Sequence, residues 1–313
     1  MDEPKERTVI TLLARARRIM CSRHRDLVLA RRRARAETAL YTVSHLARIH
    51  GFNARPLVFD TLVRAGVIGK DKTYYITPKG FDIGGRYKNG EKGERWTIWP
   101  EAALLPYLLE LKARFVESLS ISQLYHITHI ENLVGILSRG ILSHGNDYQN
   151  VDISDGEVNA RRARSEPIYK RRLHEYAPLY VNPRNAMLYR VQRTYGDDVI
   201  ILAIDKTAIV NSEFVFSNMN AASDHASFIN DLQKLCRVDW SPTFRKSWAE
   251  GGSVDSRAKS IMMAECLINS SVPPEHIRSV RCLSQDAMKR VTRILSKHQT
   301  LDITTAVDTG LFF

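Results

Sequence analysis

The sequence predicts an α+β protein in two parts: an α-rich N-terminal third, then a mixed α/β remainder. Three observations carry this reading. Apolar residues recur at helical spacing through the first third, which closes on short strand-like runs. From residue 120 onward, apolar runs of strand length are interspersed with helical patterns. The charge also changes along the chain: of 46 Lys+Arg and 34 Asp+Glu, residues 1–100 hold 21 and 10, a net +11, leaving 25 and 24, a net +1, for the rest. A chain of 313 residues has room for about two domains at roughly 100–200 residues each.

Whole classes of protein are disfavoured at once. No stretch approaches ~18 consecutive apolar residues, so no membrane-spanning helix is expected. Met1 to Ile10 carries five charges and no apolar segment, so no secretory signal is expected. Cys21, Cys236, Cys266 and Cys282 are scattered without a CxxC pair, which reads as reduced, cytoplasmic and free of metal. The confined basic charge suggests contact with a polyanion, nucleic acid before membrane surface; a solvated basic face is the plainer alternative.

Residues 1–37 are read as a basic helical segment, poor in Gly and Pro, in which Arg31, Arg32, Arg33 and Arg35 form either a solvated face or a phosphate-tracking strip. In residues 38–100, Ala39, Leu40, Val43, Leu46 and Ala47 fall at helical spacing. Pro56 starts a second helix and Gly66 stops it. Val67-Ile68 and Tyr74-Tyr75-Ile76 read as strands around Gly69–Lys72, and Thr77-Pro78-Lys79-Gly80 opens another helix. Residues 86–100 read as a polar loop or wing. Helices followed by a hairpin and "YxITxKG" resemble a winged-helix domain, a module that binds nucleic acid or a protein partner; the basic charge favours nucleic acid. Residues 101–119, with Leu104, Leu105, Leu108, Leu109 and Leu111, read as a connecting helix.

In residues 120–313, strands are expected at 123–128, 179–181, 199–204, 214–216 and 280–283. Helices are expected at 130–139, 184–195, 226–235, 257–267 and 286–297. No GxGxxG or GxxxxGK[ST] run is present, so neither standard nucleotide loop is signalled.

Four segments could carry chemistry. In Leu124-Tyr125-His126-Ile127-Thr128-His129, strand alternation places His126 and Thr128 together on one face, where they could hydrogen-bond a sugar diol; a satisfied core histidine is the plainer reading. Ala160-Arg161-Arg162-Ala163-Arg164 is basic. Leu173 to Tyr189 packs two prolines and three tyrosines where a strand should pass into a helix. Glu265 lies inside the apolar run Ile261 to Ile268, where a carboxylate is costly unless paired or used, or else sits exposed on a helix.

Together, "YHITHIENLVGIL", the "RRAR" loop, "LHEYAPLYVNPRNAMLY" and Glu265 resemble, in that order, the DarT family of nucleic-acid ADP-ribosyltransferase toxins over about residues 122–300. The resemblance implies a split, twisted mixed β-sheet with flanking helices. It implies transfer of ADP-ribose from NAD, as co-substrate and without metal, onto a base of single-stranded DNA. By match to the family motifs, Glu265 and Arg162 are catalytic. Glu265 would orient the ribose and take the proton of the attacked base; Arg162 would polarise a base carbonyl or steady the NAD phosphates. His126, Thr128, Asn132, Tyr180 and Arg184 would contact NAD, with Tyr180 stacking on nicotinamide. Arg161, Arg164 and Asn220 would face the nucleic acid; Arg31, Arg32, Arg33 and Arg35, outside the resemblance, are expected to do so from their charge alone. A macrodomain glycohydrolase antitoxin is the implied partner, in a toxin–antitoxin or phage-defence system.

Asn218 departs from the Asp usual in the loop after the "FVF" strand, which leaves the modified base, and DNA against RNA, open. The rival enzyme is an RNA 2′-phosphotransferase, against which Glu265 and "NPRNAMLY" speak. The rival from another class is a winged-helix regulator whose inactive second half senses NAD or ADP-ribose.

Overall fold

The computed structural model describes residues 39–52, 55–144, 151–153, 160–250, 252–298 and 300–313. Segment 1–37, with Arg31, Arg32, Arg33 and Arg35, lies outside them. The chain forms two compact units, residues 1–47 with 54–108, and residues 48–53 with 109–313. The division therefore falls inside the expected connecting helix.

The first unit contains β1 (Leu40–Thr42), α1 (Val43–Ile49, continuing into the second unit), α2 (Arg55–Arg64), β2 (Ile68–Lys70), β3 (Tyr74–Ile76), α3 (Pro78–Asp82), β4 (Arg86–Asn89) and β5 (Arg95–Pro100). The helix α4 (Glu101–Glu117) follows. β2 and β3 form a hairpin, and β1, β5 and β4 a three-stranded antiparallel sheet in that order. The "YxITxKG" motif has a local cause. Thr77 Oγ1 caps α3 by accepting from Gly80 N at 3.1 Å, Pro78 occupies the first turn, and Gly80 leaves room for the fully buried Trp99. A Cβ on Gly80 would lie 2.2 Å from the Val67 carbonyl oxygen.

Two expectations for this unit are corrected. Residues 40–42 are a strand, because they pair with residues 98–100; the helix begins only at Val43. Residues 86–100 are a β-hairpin, the form a wing takes, so of the two expected forms it is the loop that is corrected.

The second unit is built on β6 (Gln123–His129), β7 (Ile141–Leu142), β8 (Tyr176–Tyr180), β9 (Val199–Asp205), β10 (Phe214–Ser217) and β11 (Phe228–Ile229). The later strands are β12 (Ala249–Glu250), β13 (Ser253–Val254), β14 (Glu265–Asn269), β15 (Ser271–Val272), β16 (Ile277–Cys282) and β17 (Thr304–Val307). Its helices are α5 (Leu133–Arg139), α6 (Ala186–Tyr195), α7 (Leu232–Leu235), α8 (Ser256–Ile261) and α9 (Gln285–Leu295). Eight strands form one mixed sheet in the order β11-β10-β14-β8-β6-β9-β16-β17, antiparallel except for β16 with β17. The run Val199–Ile204 is fully buried at its centre, as a continuous apolar strand requires.

The sheet is split in the middle. β6 pairs with β9 along seven residues but meets β8 only at Tyr125 and Tyr180. Pro178 lacks the N–H a full ladder would need, and its carbonyl is taken by His126 Nδ1 at 3.0 Å.

Three expectations are corrected here. The helix expected at 257–267 ends at Ile261, and Glu265 opens the strand β14; a continuous apolar run fits helix and strand equally. The helix expected at 226–235 is reduced to α7, capped by Asp231, after the short β11. The edge strand β17 was not expected, because its four residues carry no distinctive pattern.

Candidate active site

Register brings the site together. Across three neighbouring strands, Tyr125 faces Tyr180 and Tyr180 faces Glu265. Glu265 is 1% exposed and fully engaged. Its Oε2 accepts from Arg162 Nη1 at 2.8 Å and its Oε1 from the backbone N–H of Ala221 at 2.9 Å. Its own N–H donates to Ser217 Oγ at 3.2 Å.

Burial is the largest influence on the Arg162 guanidinium and lowers its pKa, but the charge and hydrogen bond of Glu265 and the nearby Tyr180 together hold the group above its ordinary value. Nη2 of Arg162 is buried and has no hydrogen-bond partner among the described residues. An orphaned buried donor costs stability, so it marks a place where a missing acceptor belongs. The Tyr180 hydroxyl, buried and beside the Glu265 carboxylate, is pushed up and stays protonated; the nearby Arg162 acts in the opposite sense.

A pocket of about 150 Å³ opens at the split. His126, Thr128, Asn132, Pro178, Tyr180 and Met187 contribute to its lining. A carbonyl oxygen only accepts, so the bond to Pro178 places the proton of His126 on Nδ1. Burial lowers the imidazole pKa, more than the Pro178 bond raises it, and leaves Nε2 as a lone-pair acceptor. Asn132 donates to Thr128 Oγ1 at 3.2 Å and exchanges two bonds with the Val151 backbone, at 2.8 and 2.9 Å. It holds the pocket rim together. Tyr180 is common to the pocket and to the strand register of Glu265.

The remaining expected residues are placed as follows. Arg164 grips the loop beside the carboxylate: it donates to the Ala221 carbonyl at 2.7 Å, to the Ser223 carbonyl, and to Asp224 at 2.9 Å. Asn220 stabilises the same loop, accepting from Ala222 N at 2.9 Å. Arg161 is exposed. Arg184 is not among the pocket-lining residues; its guanidinium lies over the Phe313 ring, 4.2 Å from the centroid.

Sequence reasoning missed Glu166. Its buried carboxylate accepts from the backbone N–H groups of Ile168, Tyr169 and Arg171 and from the Tyr176 hydroxyl, and so shapes the segment that carries Arg162. It also missed Ser217 and the Ala221 N–H, which contact Glu265 through a hydroxyl and a backbone group that have no sequence signature.

The arrangement is thus a largely buried Arg–Glu pair beside a cleft in a split mixed sheet, with a fixed carboxylate suited to stabilising a developing positive charge. Residues 125–313 match the family described as "ssDNA thymidine ADP-ribosyltransferase, DarT", and the chain belongs to that family. A DNA ADP-ribosyl transferase of Thermus aquaticus is 30% identical over 192 residues, covering 57% of this chain and 82% of the relative. A DNA ADP-ribosyl transferase–DNA ADP-ribosyl glycohydrolase fusion protein of Thermosipho africanus is 33% identical over 169 residues, but the match spans only 42% of that protein. The solved structure of Thermus sp. 2.9 DarT in complex with ADP-ribosylated ssDNA superposes with a TM-score of 0.56 at 25% identity, over 62% of this chain and 97% of that one.

Proposed function

We propose that this chain transfers ADP-ribose from NAD to a thymidine base of single-stranded DNA. The observation that carries the reading is the buried Glu265–Arg162 pair, with Arg162 Nη2 unpartnered, at a split sheet whose pocket offers the neutral His126 Nε2. These groups fit a dinucleotide: Nε2 of His126 accepts from a ribose hydroxyl, and the free Nη2 donates to a phosphate or base oxygen.

NAD supplies the ADP-ribosyl group, its bond to nicotinamide breaking with the electron pair leaving on the pyridine nitrogen. Glu265 stabilises the positive charge that develops on the ribose and accepts the proton released when the base nitrogen bonds to the sugar. Arg162 holds the carboxylate in place and fixes the acceptor oxygen. Arg164 keeps the loop around Ala221 closed against Glu265. Tyr180 offers its ring to the nicotinamide.

Residues 38–100 serve, in this proposal, as a winged-helix-like nucleic-acid-binding domain, aided by the basic segment before them. A separate macrodomain glycohydrolase that removes the modification is the expected antitoxin. The fusion of both activities in the Thermosipho protein supports that pairing. The setting is the cytoplasm, as part of a toxin–antitoxin or phage-defence system. No helix among the described residues is long and apolar enough to cross a membrane.

Incubation with labelled NAD and oligonucleotides tests the reading. Label should enter single-stranded DNA and be lost with Glu265→Gln. Label on RNA alone would favour an RNA-directed transferase.

A further inference from the structure

The first unit lies outside the family match, and its sheet has two unlike faces. Register and alternation put Tyr41, Tyr87 and Trp99 on one side, where Trp99 is completely buried. The opposite side carries Leu40 and Thr42 from β1, Trp96 and Ile98 from β5, and Arg86 and Lys88 from β4. Lys88 is the direct cross-strand partner of Trp96, and Arg86 that of Ile98. Trp96 is 45% exposed and Leu40 43%, and Arg86 and Lys88 are exposed as well.

An exposed indole costs solubility, and one flanked by two cations does not suit an ordinary apolar partner. Glu94, on the same face, is tied to the hairpin tip, where its carboxylate accepts from Lys92 N at 3.1 Å beside Gly90 and the edge of the Trp96 ring. The helices offer less to a duplex groove. Among the described side chains of α2, the exposed ones are Pro56, Asp60 and Arg64, so a carboxylate sits in the middle of the helix's outer stripe. α3 has only five residues.

We infer that the outer face of β1, β5 and β4 is a single-strand nucleic-acid platform, on which Trp96 stacks a base while Arg86 and Lys88 hold the adjoining phosphates. Every base has a π-face, so stacking on an aromatic ring tolerates any sequence, and a basic border supplies the salt-dependent grip. The inference rests on the proposed transfer to single-stranded DNA and adds a second contact that captures the same substrate.

Titration of labelled single-stranded and duplex oligonucleotides against the full chain at several salt concentrations tests it. Trp96→Ala should weaken single-strand binding about tenfold, the loss of one stacked base, and leave the salt slope unchanged; Trp96→Phe should retain most of the affinity. The pair Arg86→Ala and Lys88→Ala should flatten the slope of log affinity against log salt by about 1.4, the share of two phosphates on a single strand. With saturating oligonucleotide, turnover of all these variants should equal that of the native chain. Unchanged single-strand affinity in Trp96→Ala, or stronger binding of duplex than of single strand, would overturn the platform while leaving the transferase reading standing. A native chain that binds single strands through Trp96 but transfers nothing would overturn the transferase reading instead.

Discussion

Arg162 and Glu265, separated by 103 positions in sequence, meet through Nη1 and Oε2 at 2.8 Å with the carboxylate almost entirely buried. The pair is asymmetric. Glu265 has both oxygens occupied, whereas Arg162 keeps one buried nitrogen free. The carboxylate is thus fixed in place before substrate arrives, and the guanidinium retains a donor for it.

Glu265→Gln should lower transfer by roughly 10²–10³-fold or more while NAD still binds, because the amide keeps the shape and loses the charge that faces the sugar cation. Glu265→Ala is the poorer test: removing one partner of a buried ion pair costs about 3–5 kcal/mol and confuses catalysis with folding. Single-turnover transfer and NAD calorimetry on the Gln variant separate the two.

His126→Ala should weaken NAD binding and leave the melting temperature little changed. Burial holds the imidazole pKa below its ordinary 6.5, so NAD affinity should be flat from pH 8 down to that value and decline only below it. The stability sign agrees. The unfolded chain takes up the proton first, so the stability this histidine contributes is full above about 6.5 and is lost as pH falls toward the folded value. A large loss of melting temperature with unchanged NAD affinity would mark a purely structural histidine.

Arg164→Ala should lower turnover about 10–100-fold with NAD affinity retained, through loosening of the Ala221 loop that donates to Glu265. Asp224→Ala should be nearly silent, since its carboxylate is 96% exposed and surface ion pairs contribute about 0–1 kcal/mol. Equal losses in both variants would place the effect in the ion pair instead of the loop.

Lys112 is buried at 2% exposure, donates to the Ser212 carbonyl at 2.6 Å and lies over the Phe214 ring. Burial pulls its pKa down to about 7, against the opposing pull of Glu213. The unfolded lysine holds its proton to higher pH, so stability should rise from pH 7 toward 10. Lys112→Met should remove that rise in thermal melts and stabilise the chain at neutral pH.

The fold was legible where local chemistry dictates it. Gly140 at φ +84° stops α5, and the helix expected at 184–195 is found at Ala186–Tyr195, capped by the Asn185 side chain. What misled were runs with no unique period. Met262-Met263-Ala264-Glu265-Cys266-Leu267 reads as helix or strand alike, and only pairing with Ala177–Tyr180 and Phe214–Phe216 decides for strand. That choice also decides the site, because it aligns Glu265 with Tyr180. Glu265 and His126 were visible as polar groups in apolar runs. The role of Arg164 in holding the loop was not, because its carbonyl partners at Ala221 and Ser223 lie 57 and 59 residues away and carry no side-chain signal.

The most direct measurement is intact-mass analysis of single-stranded oligonucleotides, with and without thymidine, after reaction with the native chain and with Glu265→Gln in the presence of NAD. The native chain should add one ADP-ribosyl mass to each thymidine-containing strand it modifies, none to strands lacking thymidine, and Glu265→Gln should add none. Equal modification of strands without thymidine, or an undiminished adduct from Glu265→Gln, would contradict the account.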